Sequence, residues 1–157
     1  MRTPESNPWG YVRGLLFFNT VAYSSEGMFT SDLNSVGMAS VLVTGGNGFI
    51  GTHLCNHLHQ NGHSVISLDV MHTDSHPWEC ITADIRDDLQ IDGIDWIVHL
   101  AAQISVPRSI DNPDETLSIN VDGTASILSA AEVAGVKKII FASSAAVYGD
   151  CEIIPIP

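Results

Sequence analysis

Val41-Leu42-Val43-Thr44-Gly45-Gly46-Asn47-Gly48-Phe49-Ile50-Gly51 is the stretch that decides the fold. Three apolar residues run straight into a glycine cluster. They lack the alternation of a half-exposed strand, so the run reads as a strand buried on both faces. After the cluster the period changes. Ile50, Leu54 and Leu58 share one face of a helix expected over residues 48–61, and Gly62 stops it. Strand, glycine loop and helix, in that order, give meaning to the spacing Gly46-x-Gly48-x-x-Gly51, with Gly45 as an alternative first member.

Each glycine has a physical reason to be there. Gly45 lets the chain turn off the strand. Gly48 has no Cβ, so a diphosphate can approach the backbone, and Gly51 allows close packing of the helix on the sheet. Free amides and the helix dipole then favour the diphosphate charge. The competing reading is a glycine-rich turn with no ligand.

Outward from the loop, strands and helices alternate. Strands are expected at residues 65–68, 80–83, 94–100 (IDWIVHL) and 138–142 (KIIFA). Asn112 reads as the N-cap of a helix, Pro113 as its first residue and Glu115 as the partner in a capping box. Leu117, Val121, Ala125, Leu128 and Ala131 follow at helical spacing, and Gly135 ends the run. Such alternation implies right-handed β-α-β units and a doubly wound, Rossmann-type parallel sheet of order 3-2-1-4-5. Asp69 ends the second strand, where a carboxylate accepts hydrogen bonds from adenosine ribose hydroxyls. A 2′-phosphate would meet its negative charge with no Arg directly after it, which favours NAD over NADP. The plainer alternative for Asp69 is a strand cap.

Residues 1–37 are broken by Pro, Gly and Ser and read as an irregular tail, with the NAD-binding domain at 38–157. Residues 14–23 (GLLFFNTVAY), preceded by Arg2 and Arg13, faintly resemble a signal peptide, but a secreted protein would not meet a cytosolic dinucleotide. No run approaches the ~18 apolar residues of a membrane span. The 157 residues are 45% hydrophobic, enough for one core. Eighteen acidic residues against 6 basic ones give a net charge of −12, which disfavours nucleic acid and anionic membranes as partners. Cys55, Cys80 and Cys151 are odd in number and form no CxxC, as expected of reduced thiols in the cytoplasm. His53 and His57 have metal-ligand spacing but no HExxH beside them. They and His59 and His63 read as solvated side chains, so no metal is expected. His99 is expected to pack at its strand end, and Asp87, Asp88, Asp92 and Asp95 to form a solvated acidic surface.

TGGNGFIG (44–51), Asp69, DIRD (84–87), HLAAQ (99–103), INVDGT (119–124) and SSAAVYGD (143–150) occur in one order. Together they resemble the extended short-chain dehydrogenases/reductases, that is the nucleotide-sugar epimerases and dehydratases, with the UDP-glucose 4-epimerase type nearest. The resemblance spans residues 40–150. It implies an NAD site formed by Gly45, Gly48, Phe49, Ile50, Gly51 and Asp69, with Asp84 and Ile85 beside the adenine. It also implies that Leu100, Ala101 and Ala102 line the cleft and that Asn120 holds helix and strand around the cofactor. Ser144 would be the catalytic serine that hydrogen-bonds the reacting sugar hydroxyl. Taken singly, each has a bland alternative in packing or turn formation.

The family's base is a Tyr with a Lys four residues later, whose charge helps the phenolate form. Here Tyr11, Tyr23 and Tyr148 are followed at that spacing by Leu15, Gly27 and Glu152. The pair is therefore expected beyond Pro157, and this chain is read as a C-terminally truncated domain that binds dinucleotide without turnover. The resemblance further implies a nucleotide-sugar substrate for the complete enzyme. It also implies a homodimer, to which residues 112–134 lend a helix. A 4,6-dehydratase, a reductase, a non-sugar relative and a non-catalytic binding module remain as alternatives.

Overall fold

The computed structural model describes residues 37–149. The expected tail lies outside these residues apart from Gly37, as do residues 14–23, Tyr11, Tyr23, Cys151 and residues 150–157. Five strands form a single sheet: β1 (Ser40–Thr44), β2 (Ser64–Asp69), β3 (Glu79–Thr82), β4 (Trp96–His99) and β5 (Lys138–Phe141). All pairings are parallel and the order is β3-β2-β1-β4-β5, as the alternation of elements requires.

Alternate residues of β1 serve two cores. Val41 and Val43 join Val65, Trp96 and Val98 on one face, where α1 (Phe49–Gln60) adds Cys55 and Leu58. Leu42 joins Leu68, Ile85 and Ile97 on the other, covered by Ile127 and Ala131. Val41, Val43 and Ile97 are fully inaccessible, which explains the uninterrupted apolar strands of the sequence. Burial, with a smaller contribution from Cys80, pushes the Cys55 thiol up to about 12, so it stays protonated and unreactive.

The register fixes where a ligand can lie. Thr44 stands opposite both Leu68 and His99, Asp69 opposite Thr82, and His99 opposite Phe141. The carboxyl ends of all five strands therefore form one edge, and ligands of open α/β sheets bind outside that edge.

The second half departs from expectation in four places. The fourth strand covers only Trp96–His99, because Gly93 (φ +72°) and Asp95 belong to the turn before it. Asp95 accepts the Ser40 amide at 2.9 Å and pairs with Lys137 Nζ at 2.6 Å. A short helix that the periodicity did not reveal, α2 (Val106–Asp111), starts at Ser105, whose hydroxyl accepts the Arg108 amide. Asn112 does not cap the next helix through its side chain. Glu115 is drawn instead to Arg108, at 2.6 and 3.0 Å, so no capping box forms. The long helix is also divided into α3 (Pro113–Leu117), one π-helical turn (Ser118–Asp122) and α4 (Gly123–Val133).

That division changes the buried face. Leu117, Val121, Ala125 and Leu128 are exposed, and Gly123, Ile127 and Ala131 are buried. Gly123 permits the contact: a Cβ there would lie 2.6 Å from Ile85 Cδ1. Among the described residues no helix is long and apolar enough to cross a membrane.

Candidate functional site

The glycine loop joins β1 to α1 at the carboxyl edge. Gly45 has φ +68°, and a Cβ there would stand 2.8 Å from the Ala101 nitrogen. Only glycine can both take this left-handed turn and let β4's exit pass so close. Gly51 would drive a Cβ against the Gly45 carbonyl and to 2.7 Å from Gly46 Cα. Its role is thus to seat the first turn of α1 on the loop itself, rather than on the sheet as the sequence suggested. Gly48 is the open member, with only the Gly45 carbonyl near its Cβ direction, at 3.2 Å. No side chain caps α1. Its first amides, which no helical carbonyl can reach, are left for an anion. Phe49 and Ile50, at 83% and 49% exposure, stand in solvent beside this helix start.

Asp69 is buried at the end of β2. One carboxylate oxygen accepts the Asn47 amide at 3.1 Å, and the other accepts the Met71 amide at 3.0 Å. Asp84 follows β3 and is gripped by Arg86 through Nε at 2.9 Å and Nη2 at 2.6 Å. The guanidinium holds the Asp84 carboxyl below the usual carboxylate range. Ile85 is only 4% exposed and its side chain packs in the core against Gly123, which leaves a ligand little of the residue to touch.

At the exit of β4 a directed chain of hydrogen bonds ties strand, loop and helix together. The Thr124 hydroxyl donates to the Asn120 carbonyl at 2.8 Å, so it can only accept from His99 Nε2, at 3.1 Å. His99 therefore carries its proton on Nε2, and Nδ1 accepts from the Thr44 hydroxyl at 2.7 Å. The Thr44 oxygen in turn accepts the amides of Leu100 and Ala101, at 3.2 and 3.3 Å. Burial lowers the His99 pKa to about 4, which keeps the ring neutral as this chain requires. Asn120, on the π-helical turn, accepts the Gln103 amide at 2.8 Å and donates to its carbonyl at 3.0 Å. The wider turn offers a side chain that clamps the segment after β4, a frequent use of π-bulges. Leu100 and Ala101 are half-buried in that segment and Ala102 is exposed.

Ser144 is exposed after β5, and its carbonyl accepts the Val147 amide at the turn Ala145–Tyr148. The sheet order thus brings the glycine loop, Asp69, Asp84, the Leu100–Ala102 segment and Ser144 to one edge. Sequence reasoning missed Asn47, Thr44, Gln103 and Thr124. Their only signal was position, since each lies within or next to a motif already singled out. Of the four histidines expected to be solvated, His53, His57 and His59 are exposed, with His53 Nδ1 2.8 Å from the Phe49 carbonyl, but His63 is buried and its Nδ1 accepts the Ala39 amide at 3.3 Å. Among the described residues no three His, Cys, Asp or Glu side chains converge as metal ligands.

Comparison with known proteins agrees with this geometry. Residues 41–157 match the model of the NAD dependent epimerase/dehydratase family. UDP-glucose 4-epimerase of Klebsiella pneumoniae is 38% identical over 133 residues, covering 73% of this chain and 96% of that protein. UDP-glucose 4-epimerase of Mycolicibacterium smegmatis is 40% identical over 125 residues, covering 69% of this chain and 40% of that protein. The UDP-glucose-4-epimerase of Stenotrophomonas maltophila, crystallised with NAD and formylated UDP-arabinopyranose, superposes with a TM-score of 0.69 at 35% identity. That alignment takes in 75% of this chain and 40% of the crystallised one. The chain thus spans about two fifths of the length of the Mycolicibacterium and Stenotrophomonas proteins. The chain belongs to the NAD-dependent epimerase/dehydratase family.

Proposed function

We propose that this chain is the NAD-binding part of a nucleotide-sugar epimerase of the UDP-glucose 4-epimerase type, and that by itself it binds dinucleotide without turnover. The observation that carries the reading is the cradle at the carboxyl edge. Gly45 and Gly51 leave no room for a Cβ, the start of α1 has no side-chain cap, and the clamped Asp69 carboxylate ends the neighbouring strand. The diphosphate would lie over Gly48, Phe49, Ile50 and Gly51, and the adenosine ribose on Asp69. Asp84 and Ile85 would flank the adenine, with Leu100, Ala101 and Ala102 along the cleft. Bound there, NAD supplies a hydride acceptor for a sugar carbon. Ser144 would hydrogen-bond the reacting hydroxyl, and Asn120 would keep the wall of the cleft in place through Gln103. The domain is assigned to residues 38–157 and the protein to the cytoplasm, where its free thiols and its dinucleotide coexist.

No Tyr of the chain has a Lys four residues on, so no residue here can serve as the family's phenolate base. That favours binding without turnover for this chain and leaves epimerase or dehydratase chemistry to the complete enzyme. The exposed stripe of Leu117, Val121 and Leu128 supports a homodimer of that enzyme through the helix pair. Calorimetric titration of the purified chain with NAD, alongside an assay with UDP-glucose, tests the reading. Saturable binding with no turnover is expected. Measurable epimerisation would overturn the second half of the proposal, and absence of NAD binding the first.

A further inference from the structure

We propose that Asn47 is a positioning residue that holds the Asp69 carboxylate against the ribose and thereby sets the preference for a dinucleotide without a 2′-phosphate. This rests on the dinucleotide reading above. Asn47 stands between Gly46 and Gly48 in the loop and bonds to β2 and the residues just after it in three ways. Its backbone amide donates to one Asp69 oxygen at 3.1 Å. Its side-chain nitrogen donates to the Met71 carbonyl at 2.6 Å, and its side-chain oxygen accepts from the Ser67 hydroxyl at 3.3 Å. The Met71 carbonyl can only accept, which fixes the amide's orientation. Met71 closes the circuit by donating its own amide to the second Asp69 oxygen at 3.0 Å.

The carboxylate is thus held between two amides, and the residue that supplies one of them is itself gripped by the Asn47 side chain. Both oxygens keep a lone pair for ribose hydroxyls. What they cannot do is turn away from a charge. A 2′-phosphate would bring further negative charge onto a carboxylate that cannot retreat, with no uncommitted cation among the described residues to offset it. Among the described residues, Arg86 is committed to Asp84, Arg108 to Glu115 and Lys137 to Asp95, and Lys138 lies over the Trp96 ring. Asn47 therefore acts on selectivity through the rigidity of Asp69.

The test is the ratio of the NADP and NAD dissociation constants of the purified chain. For Asn47→Ala the ratio is expected to fall about tenfold, the equivalent of one charge-assisted hydrogen bond. NAD binding should weaken and NADP binding should change little. In an Asp69→Asn background the same substitution is expected to leave the ratio unchanged, because its route of action is gone. Equal weakening of both ligands by Asn47→Ala would assign Asn47 to loop stability alone and overturn the proposal, as would a further fall in the Asp69→Asn background. If Asn47→Ala does not fold, Ser67→Ala removes the hydroxyl behind the amide. It should lower the ratio in the same direction, and no change would overturn the proposal. A wild-type chain that binds neither dinucleotide fails the parent reading and this one with it. Wild-type binding with an unmoved ratio fails this one only.

Discussion

At the β1–β2 end of the carboxyl edge, Asn47, Ser67, Asp69 and Met71 bind one another, and Gly45, Gly46 and Gly51 leave no room for a Cβ, Gly46 against Ser67 itself. At the β4–β5 end, the polar groups of Thr44, His99, Thr124 and Asn120 are sunk beneath the edge, and the candidate catalytic side chain, Ser144, stands exposed beyond it. The first end carries the fold and the proposed ligand cradle at once, so a change there should move both. The second separates the two: a buried relay supports the wall, and the proposed catalytic residue lies exposed beyond it.

The sharpest way to break this comparison is at Gly45. Gly45→Val forces a Cβ toward the Ala101 nitrogen at positive φ and should cost about 3 kcal/mol or more in urea unfolding, with loss of NAD binding. A stable variant of normal affinity would dissolve the claim that cradle and fold are one.

The buried relay gives a prediction in pH. The His99 pKa is about 4 in the fold and 6.5 in a free chain, so protons bind the unfolded state first. Its contribution is complete above about pH 6.5 and is lost as pH falls toward 4, by up to about 3 kcal/mol. Asp84, Asp95 and Glu115, whose pKa values their cationic partners lower, add a loss in the same direction at lower pH. Unfolding of the wild type and His99→Gln across pH 4–7 separates them. An equal slope in both would show that the relay carries no proton linkage.

Smaller effects follow. Asn120→Ala leaves both backbone groups of Gln103 without their partner and should cost about 2 kcal/mol, with a parallel loss of NAD affinity. Ser144→Ala should shift stability by less than about 0.5 kcal/mol and leave the NAD dissociation constant unchanged. A large effect on either would mean that the exposed end is also part of the cradle.

Most of the sheet was legible because its strands are buried on both faces and its loops carry glycines whose conformations are local matters. Strand order followed from alternation and handedness, and the position of Asp69 from the end of β2. The helical region was misread where tertiary bonds overrule periodicity. Glu115 answers to Arg108 rather than to a cap, and the Leu117–Val121–Leu128 stripe was apolar yet faces outward. Nothing in a period of 3.6 marks a π turn, whose Asn120 clamps Gln103. The circuit around Asn47 was equally hidden, since a residue between two glycines has no pattern of its own.

That π turn makes the segment an aiming device between two helices. It gathers one residue more per hydrogen-bonded loop than the coils on either side, so the side chains within it are aimed differently from those of a continuous α-helix. Removing a single residue from Ser118–Asp122 would let one uninterrupted α-helix form with its two parts still nearly in phase, because five residues of a π turn sweep about the same angle as four of an α-helix; only the side chains within the turn would be re-aimed. The Asn120 amide would then point away from Gln103, and the helix would become more regular while the cleft lost its latch.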